Sequence, residues 1–267
     1  MTREAAPATI TAEGLGHDYE DLTAISGLDL SVAAGRTQAI VGPSGCGKST
    51  LLEILSGLSG PSRGTVEVAG ETSLVGRLEK SAFMPQRDCL LPWYSAIDNA
   101  GLALLNQGRS RKEARAAAHE LFERFGLAGF EASHPDGLSG GMRQRVAFLR
   151  TLLSGKPVLL LDEPFASLDA ITRAELQEWL APSLVDGSHT VVLVTHDVEE
   201  ALLLADRVDV MAPRPGRIVA QEPVPFDRPR PADLVADPEF VALRVRVLAA
   251  LTAARTGDAP IPPAGPG

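Results

Sequence analysis

Cysteine is scarce in this chain. Cys46 and Cys89 are its only two, too few for a disulfide scaffold or a four-ligand zinc site, and the five histidines fall into no metal-ligand spacing. A reducing compartment is the natural setting. Long apolar runs are missing too: none approaches the ~18 residues that a membrane span needs, and the opening MTREAAPATI lacks the charged-then-apolar pattern of a secretory signal. Positive charge is in deficit, with 25 Lys and Arg against 34 Asp and Glu, which excludes a protein that coats nucleic acid through a basic surface and predicts no nucleic-acid partner. With 45% hydrophobic and 22% charged residues, the composition is nevertheless that of a globular chain able to bury a core. At ~150 residues per domain, 267 residues make one domain with an appendage.

Short aliphatic runs bounded by Gly, Pro or Asp alternate with longer helical patterns, and this predicts an α/β fold. The strand candidates are Arg36 to Val41, Thr65 to Ala69, Ser81 to Pro85, Val158 to Leu161 and Thr190 to Thr195. The last two are apolar on both faces, as in central parallel strands covered by helices. From Arg111 to Phe125, residues Ala114, Ala117, Ala118, Leu121, Phe122 and Phe125 recur at helical spacing, within a helical segment running from about Ile97 to Leu153. Asp237 and Pro238 predict the start of a C-terminal helix carrying Phe240, Val241, Val245, Leu248 and Leu251 on its apolar face. The tail GDAPIPPAGPG reads as disordered.

The most specific string is Gly42-Pro43-Ser44-Gly45-Cys46-Gly47-Lys48-Ser49-Thr50, which fits G-x-x-x-x-G-K-[ST] between a predicted strand and a predicted helix. Its glycines let backbone N–H groups turn inward around phosphate oxygens, Lys48 supplies a point charge, and Ser49 offers a hydroxyl to Mg²⁺. Cys46 occupies a variable position of that loop and reads as a small side chain. Neither cysteine is given chemistry. A second string, Val158 to Pro164, delivers Asp162 and Glu163 at the carboxyl end of a buried strand. Asp162 suits a water-mediated Mg²⁺ contact, and Glu163 a carboxylate that polarises water; read alone, the string is equally a strand with an acidic turn. In the third, LSGGMRQR, Ser139 serves as N-cap while Gly140 and Gly141 expose N–H groups at a helix start, a second anion site for which one explanation is a neighbouring molecule's nucleotide.

Together GPSGCGKST, VLLLDEP and LSGGMRQR resemble the nucleotide-binding subunits of ABC transporters over about residues 9–225. The resemblance implies a P-loop NTPase core with an antiparallel β subdomain and a helical subdomain over about 97–153, a C-terminal extension over 226–255 and a tail over 256–267. It implies ATP as substrate, Mg²⁺ at Ser49, Asp162 and Gln86, and catalysis by Glu163, His196, Lys48 and Gln86. Gln86 in MPQRD is then the Q-loop glutamine, Asp169 the D-loop aspartate, His196 the switch histidine and Tyr19 the ring that stacks on adenine. Taken singly, His196 also fits a satisfied histidine at a strand end, and Tyr19 fits core packing. The resemblance further implies a head-to-tail homodimer in which Ser139, Gly140 and Gly141 reach the partner's ATP.

RDCLLPWYSAIDN places two of the few aromatics, Trp93 and Tyr94, where the family docks its integral membrane permease, although burial in the helical segment would also account for them. LLPW followed by the Asp98-Asn99 pair resembles importers of nitrate, sulfonates and taurine, and MPQRD with LLPW resembles those for pyrimidine-type thiamine precursors. Such a subunit lies on the cytoplasmic membrane face and serves an extracytoplasmic solute-binding protein indirectly. Met142 stands where the family commonly has glutamine, which keeps the backbone donors but removes that side chain's role. Two rivals share the chemistry or part of it: a soluble ABC ATPase with another partner, and a regulatory nucleotide sensor, which Glu163 and His196 disfavour.

Overall fold

The computed structural model describes residues 8–166 and 188–256. Asp169 of the expected D-loop and the tail over 257–267 lie outside the described residues. Nine strands form two sheets among these residues. Strands β1 (Ile10–Tyr19), β2 (Leu22–Val32) and β4 (Arg63–Val68) make an antiparallel sheet in the order β2-β1-β4. Strands β3 (Thr37–Val41), β5 (Ser81–Met84), β6 (Val158–Asp162), β7 (Thr190–Thr195), β8 (Arg207–Met211) and β9 (Ile218–Pro223) form the second, in the order β5-β6-β7-β3-β8-β9. That sheet is parallel apart from β9, which returns antiparallel on β8.

The period-2 alternation of β6 and β7 divides the core. Val158, Leu160, Val192 and Val194 face α1 (Lys48–Ser56) and the antiparallel sheet. Leu159, Leu161, Val191 and Leu193 face the helical side, made by α3 (Ala96–Ala100), α4 (Leu102–Asn106), α5 (Arg111–Phe122) and α6 (Gly140–Leu152). A third cluster lies over β3 and β8, under α7 (Val198–Leu204) and the C-terminal α8 (Pro238–Thr256). A short helix α2 (Leu74–Lys80) precedes β5. Among the described residues no helix is long and apolar enough to cross a membrane.

Four strands were invisible to pattern reading. β1 holds Gly14 and Gly16 and shifts register three times against β2, so its alternation is broken; β8 carries the fully buried Asp209, which disguises it as a polar segment. The face of α8 also differs from expectation. Phe240, Leu243, Val247 and Ala254 are buried, whereas Val245 and Leu248 are exposed and Val241 and Leu251 half-buried. Apolar residues occur on every side of this helix, so their spacing does not single out a face; ion pairs do, with Arg244 on Glu199 of α7 (2.9 Å) and Arg246 on Glu222 of β9 (3.2 Å).

The neighbouring residues Asp98 and Asn99 divide the work of shaping the helical side. Asp98, buried on α3, accepts from Arg115 (2.7 and 2.8 Å) and Arg111 (3.0 and 2.5 Å) of α5. Buried Asn99 turns the other way: its amide donates to the carbonyls of Leu91, Tyr94 and Ser95 (3.1 Å each) and accepts from the Leu91 N–H (2.7 Å), tying residues 91–95 into a loop. Arg115 and then Arg111 hold the Asp98 carboxyl well below the usual carboxylate range. The stability this contributes is present above the ordinary carboxylate pKa and is lost as pH falls below it towards the depressed folded value. Asp98→Ala is expected to lower unfolding free energy by about 2–3 kcal/mol at neutral pH, less than a fully buried pair because both arginines are partly exposed, and to flatten the acid limb of a urea-stability profile.

Candidate active site

Three parallel strands end at one level. Val41 of β3 pairs with Thr195 of β7, and Asp162 of β6 pairs with Val194, so the residues that follow emerge together at the carboxyl edge, where α/β sheets bind ligands. β3 feeds residues 42–50, β6 delivers Asp162 and Glu163, and β7 delivers His196.

The loop after β3 can exist only with glycine at certain places. Gly45 and Gly47 take φ of 77° and 101°, in the left-handed region that side chains resist, and a Cβ on Gly42 would lie 2.7 Å from the Met211 carbonyl oxygen. Lys48 folds back over the turn, its ammonium donating to the carbonyls of Gly42 (2.8 Å) and Pro43 (3.0 Å). Cys46 is buried beneath it, and burial pushes the thiol up, so it stays a small protonated side chain.

These residues floor a cleft of about 370 Å³. Ser44, Gly45, Lys48, Ser49 and Thr50 line it from the loop and α1, Tyr19 and Leu22 from the β1–β2 hairpin, and Gln86, Asp162 and Glu163 from the ends of β5 and β6. Tyr19 is partly exposed, its hydroxyl 3.4 Å from that of Thr50 and its ring T-shaped to that of His17 at 4.5 Å between centroids. Asp162 is hydrogen-bonded to the Ser49 side chain; burial raises its carboxyl above the ordinary value, and the Ser49 bond opposes that rise. A hydroxyl and a carboxylate side by side are hard oxygen donors of the kind Mg²⁺ takes, so the residues present fit that ion.

Glu163 is gripped from every side. Its backbone sits at φ 47°, strained for a non-glycine residue, and is fixed there by its N–H to Val194 (2.8 Å) and by its carbonyl, which accepts from Gln144 Nε2 (3.3 Å) and the Ala166 N–H (3.2 Å). Its carboxylate accepts from Gln86 Nε2 (2.9 Å) and lies 3.4 Å from His196 Nδ1. The structure thus brings Lys48, Ser49, Gln86, Asp162, Glu163 and His196 to one edge. It does not bring Ser139, Gly140 or Gly141 there: Ser139 caps α6 by accepting from the Met142 N–H (3.2 Å), and this helix start is exposed and away from the cleft lining.

Sequence reading missed several contributors. Gln144 lies inside LSGGMRQR but had no assigned role. Arg143 and Arg150 of α6 bind the segment after Gln86, through the Asp88 carboxylate (3.0 Å) and the backbone carbonyls of Asp88 and Cys89 (2.7 Å each). Arg214, in the turn between β8 and β9, lines the cleft and donates to the Gly45 carbonyl (2.9 Å); an arginine between two prolines carries no signal until the fold is known.

A phosphate loop opening a helix, with two carboxylates at the end of a parallel strand one place removed from the loop's own, defines a P-loop α/β ATPase. More narrowly, the chain belongs to the ABC transporter family, whose profile matches residues 25–166. It is 47% identical over 217 residues to the aliphatic sulfonates import ATP-binding protein SsuB 1 of Rhodococcus jostii, covering 81% of this chain and 84% of that one. It is 43% identical over 203 residues to the formylaminopyrimidine import ATP-binding protein ThiZ of Halalkalibacterium halodurans, covering 76% and 79%. Among solved structures, the dimeric post-hydrolysis state of the ATP-binding cassette MJ0796 bound to ADP and Pi superposes with a TM-score of 0.73 at 27% identity, over 82% of this chain and all of that one. The chain is an ABC-type ATPase. Gly42→Ala is expected to cost about 1–3 kcal/mol of stability, because β8 backbone stands where the methyl would go, and to weaken ATP binding measured by calorimetry.

Proposed function

We propose that this chain is the energy-coupling subunit of an importer for a small polar solute, of the nitrate, sulfonate and taurine kind or a thiamine-pyrimidine precursor. The reading is carried by the Glu163 carboxylate, fixed between Gln86 and His196 beside the Lys48 loop, in a chain similar to import ATP-binding proteins for sulfonates and formylaminopyrimidine. Water attacks the γ-phosphorus in line, its proton passes to Glu163, and the bond to the bridging oxygen breaks to give ADP and phosphate. Lys48 and the amides of residues 44–50 hold the phosphates, His196 orients the attack, and Tyr19 stacks on the adenine. Ser49, Gln86 and, through water, Asp162 would hold Mg²⁺, which would supply charge neutralisation at the phosphates.

Two chains close head to tail, each lending Ser139, Gly140 and Gly141 to the other's γ-phosphate. The exposed start of α6 supports this arrangement, because its N–H groups carry a dipole end that its own cleft does not use. An integral membrane permease docks at Trp93 and Tyr94. Trp93 is 67% exposed, Tyr94 is half-buried, and a hollow of about 440 Å³ bordered by Trp93, Arg111 and Arg115 adjoins them. The Asn99 amide stiffens the loop that presents both rings. The protein then works at the cytoplasmic membrane face and serves an external binding protein through the permease.

Glu163→Gln should cut ATP turnover by about 100-fold or more while stabilising an ATP-dependent dimer on size exclusion; rapid turnover by that variant would sink the assignment. Tagged Glu163→Gln protein isolated from solubilised native membranes with ATP and Mg²⁺ should bring down a multi-span partner that Trp93→Ala no longer recovers. Recovery of soluble partners alone would point to a non-transport ABC ATPase.

A further inference from the structure

The turn between β8 and β9, residues 212–217, is hydrogen-bonded to β2 and packs against the back of the phosphate loop. The Gly216 N–H donates to the Ala24 carbonyl (2.8 Å), the Gly216 carbonyl accepts from the Ser26 N–H (3.1 Å), and the Ala212 N–H donates to the Arg217 carbonyl (2.9 Å). A Cβ on Gly216 would collide with the Cys46 carbonyl oxygen, so the turn touches the loop with no side chain between them. Arg214 leaves this fixed turn towards the cleft. Its Nε donates to the Gly45 carbonyl (2.9 Å), and its Nη2 stands 3.2 Å from where a Cβ of Gly45 would be. Among the described residues its Nη groups have no hydrogen-bond partner and no carboxylate pairs with it, although it borders the same cleft as Asp162 and Glu163. A guanidinium oriented by one nitrogen and open at the other two is arranged to grip an oxyanion in fork geometry.

We infer that Arg214 is a second cationic contact to the phosphate tail of bound ATP, acting beside Lys48. The two cations differ in kind. Lys48 is buried and tied to two carbonyls of its own loop, whereas Arg214 is exposed and reaches the loop from another strand pair, so its charge meets the nucleotide at the solvent side. The inference rests on the ATP-site reading above and adds a residue to it. Because the contact is exposed, added salt screens it, and removing it lessens the salt dependence of ATP binding.

Calorimetric titration of the full chain with Mg-ATP tests this on Arg214→Gln, which keeps a donor for the Gly45 carbonyl, and on Arg214→Lys, which keeps the charge. Arg214→Gln should bind Mg-ATP about tenfold more weakly with a flatter dependence on potassium chloride, while its unliganded thermal midpoint stays at the wild-type value. Arg214→Lys should keep the wild-type salt slope. Wild-type affinity in Arg214→Gln would overturn the inference, as would weakened binding with the salt slope unchanged, which would make Arg214 only a brace for the loop. Failure of the wild-type chain to bind Mg-ATP would instead remove the ATP-site reading, and this inference with it.

Discussion

The cleft depends on the parallel register of β3, β6 and β7. These strands contribute, in turn, the phosphate loop, the two carboxylates and His196, and the groups meet only because Val41 lies opposite Thr195 and Asp162 opposite Val194. A slip of one residue would turn Leu159 and Leu161 out of the helical core and carry Glu163 to the wrong face of the sheet. Both faces of β6 and β7 are covered by apolar side chains, so the same burial that stabilises the sheet fixes the geometry of the cleft at its edge. The strain at Glu163 is tolerable because the sheet holds its N–H through Val194.

Helix α6 joins the site to the helical side by more than its capped end. Within two turns it sends Gln144 to the Glu163 carbonyl, Arg143 to the Asp88 carboxylate, and Arg150 to the carbonyls of Asp88 and Cys89. The segment after Gln86 therefore belongs mechanically to α6, while the Gln86 side chain itself bonds the Glu163 carboxylate. The Trp93 loop, tied to α3 through Asn99, directly follows the segment that these arginines hold. Side chains of this one helix thus hold two loops at once.

How much of this could be read from the sequence depended on whether a residue's role is local. The phosphate loop, Asp162 with Glu163, and the Ser139 cap are local devices: glycine placement, a strand end and a helix start, each written in consecutive residues. β6 and β7 were equally legible, since burial on both faces leaves an unbroken apolar run. The β1–β2 hairpin was not, because its bulges interrupt the period-2 pattern, and neither was β8, whose Asp209 is buried with a carboxyl pushed up to about 6 by desolvation. Arg214, Gln144 and Arg150 act across more than a dozen residues of sequence separation, and no spacing rule reaches them. α8 failed for the opposite reason, an excess of apolar signal that leaves its buried stripe undefined.

The strap between β9 and α8 has a consequence for how the chain can be cut. Arg230 donates to the carbonyls of Leu202 (2.9 Å), Leu203 (3.2 Å) and Ala205 (2.7 Å), while Arg228 reaches Thr37 Oγ1 (2.8 Å) and the Asp206 carboxylate (2.9 Å). Removing everything after β9 would strip the C-terminal end of α7 of these donors and bare the apolar surface now under Phe240, Leu243 and Val247. The helix so loosened is the one that Asp197 caps immediately after His196. A protease that severs the strap would thus loosen from behind the helix that begins beside His196, and the extension is better regarded as a brace for that helix than as an appendage.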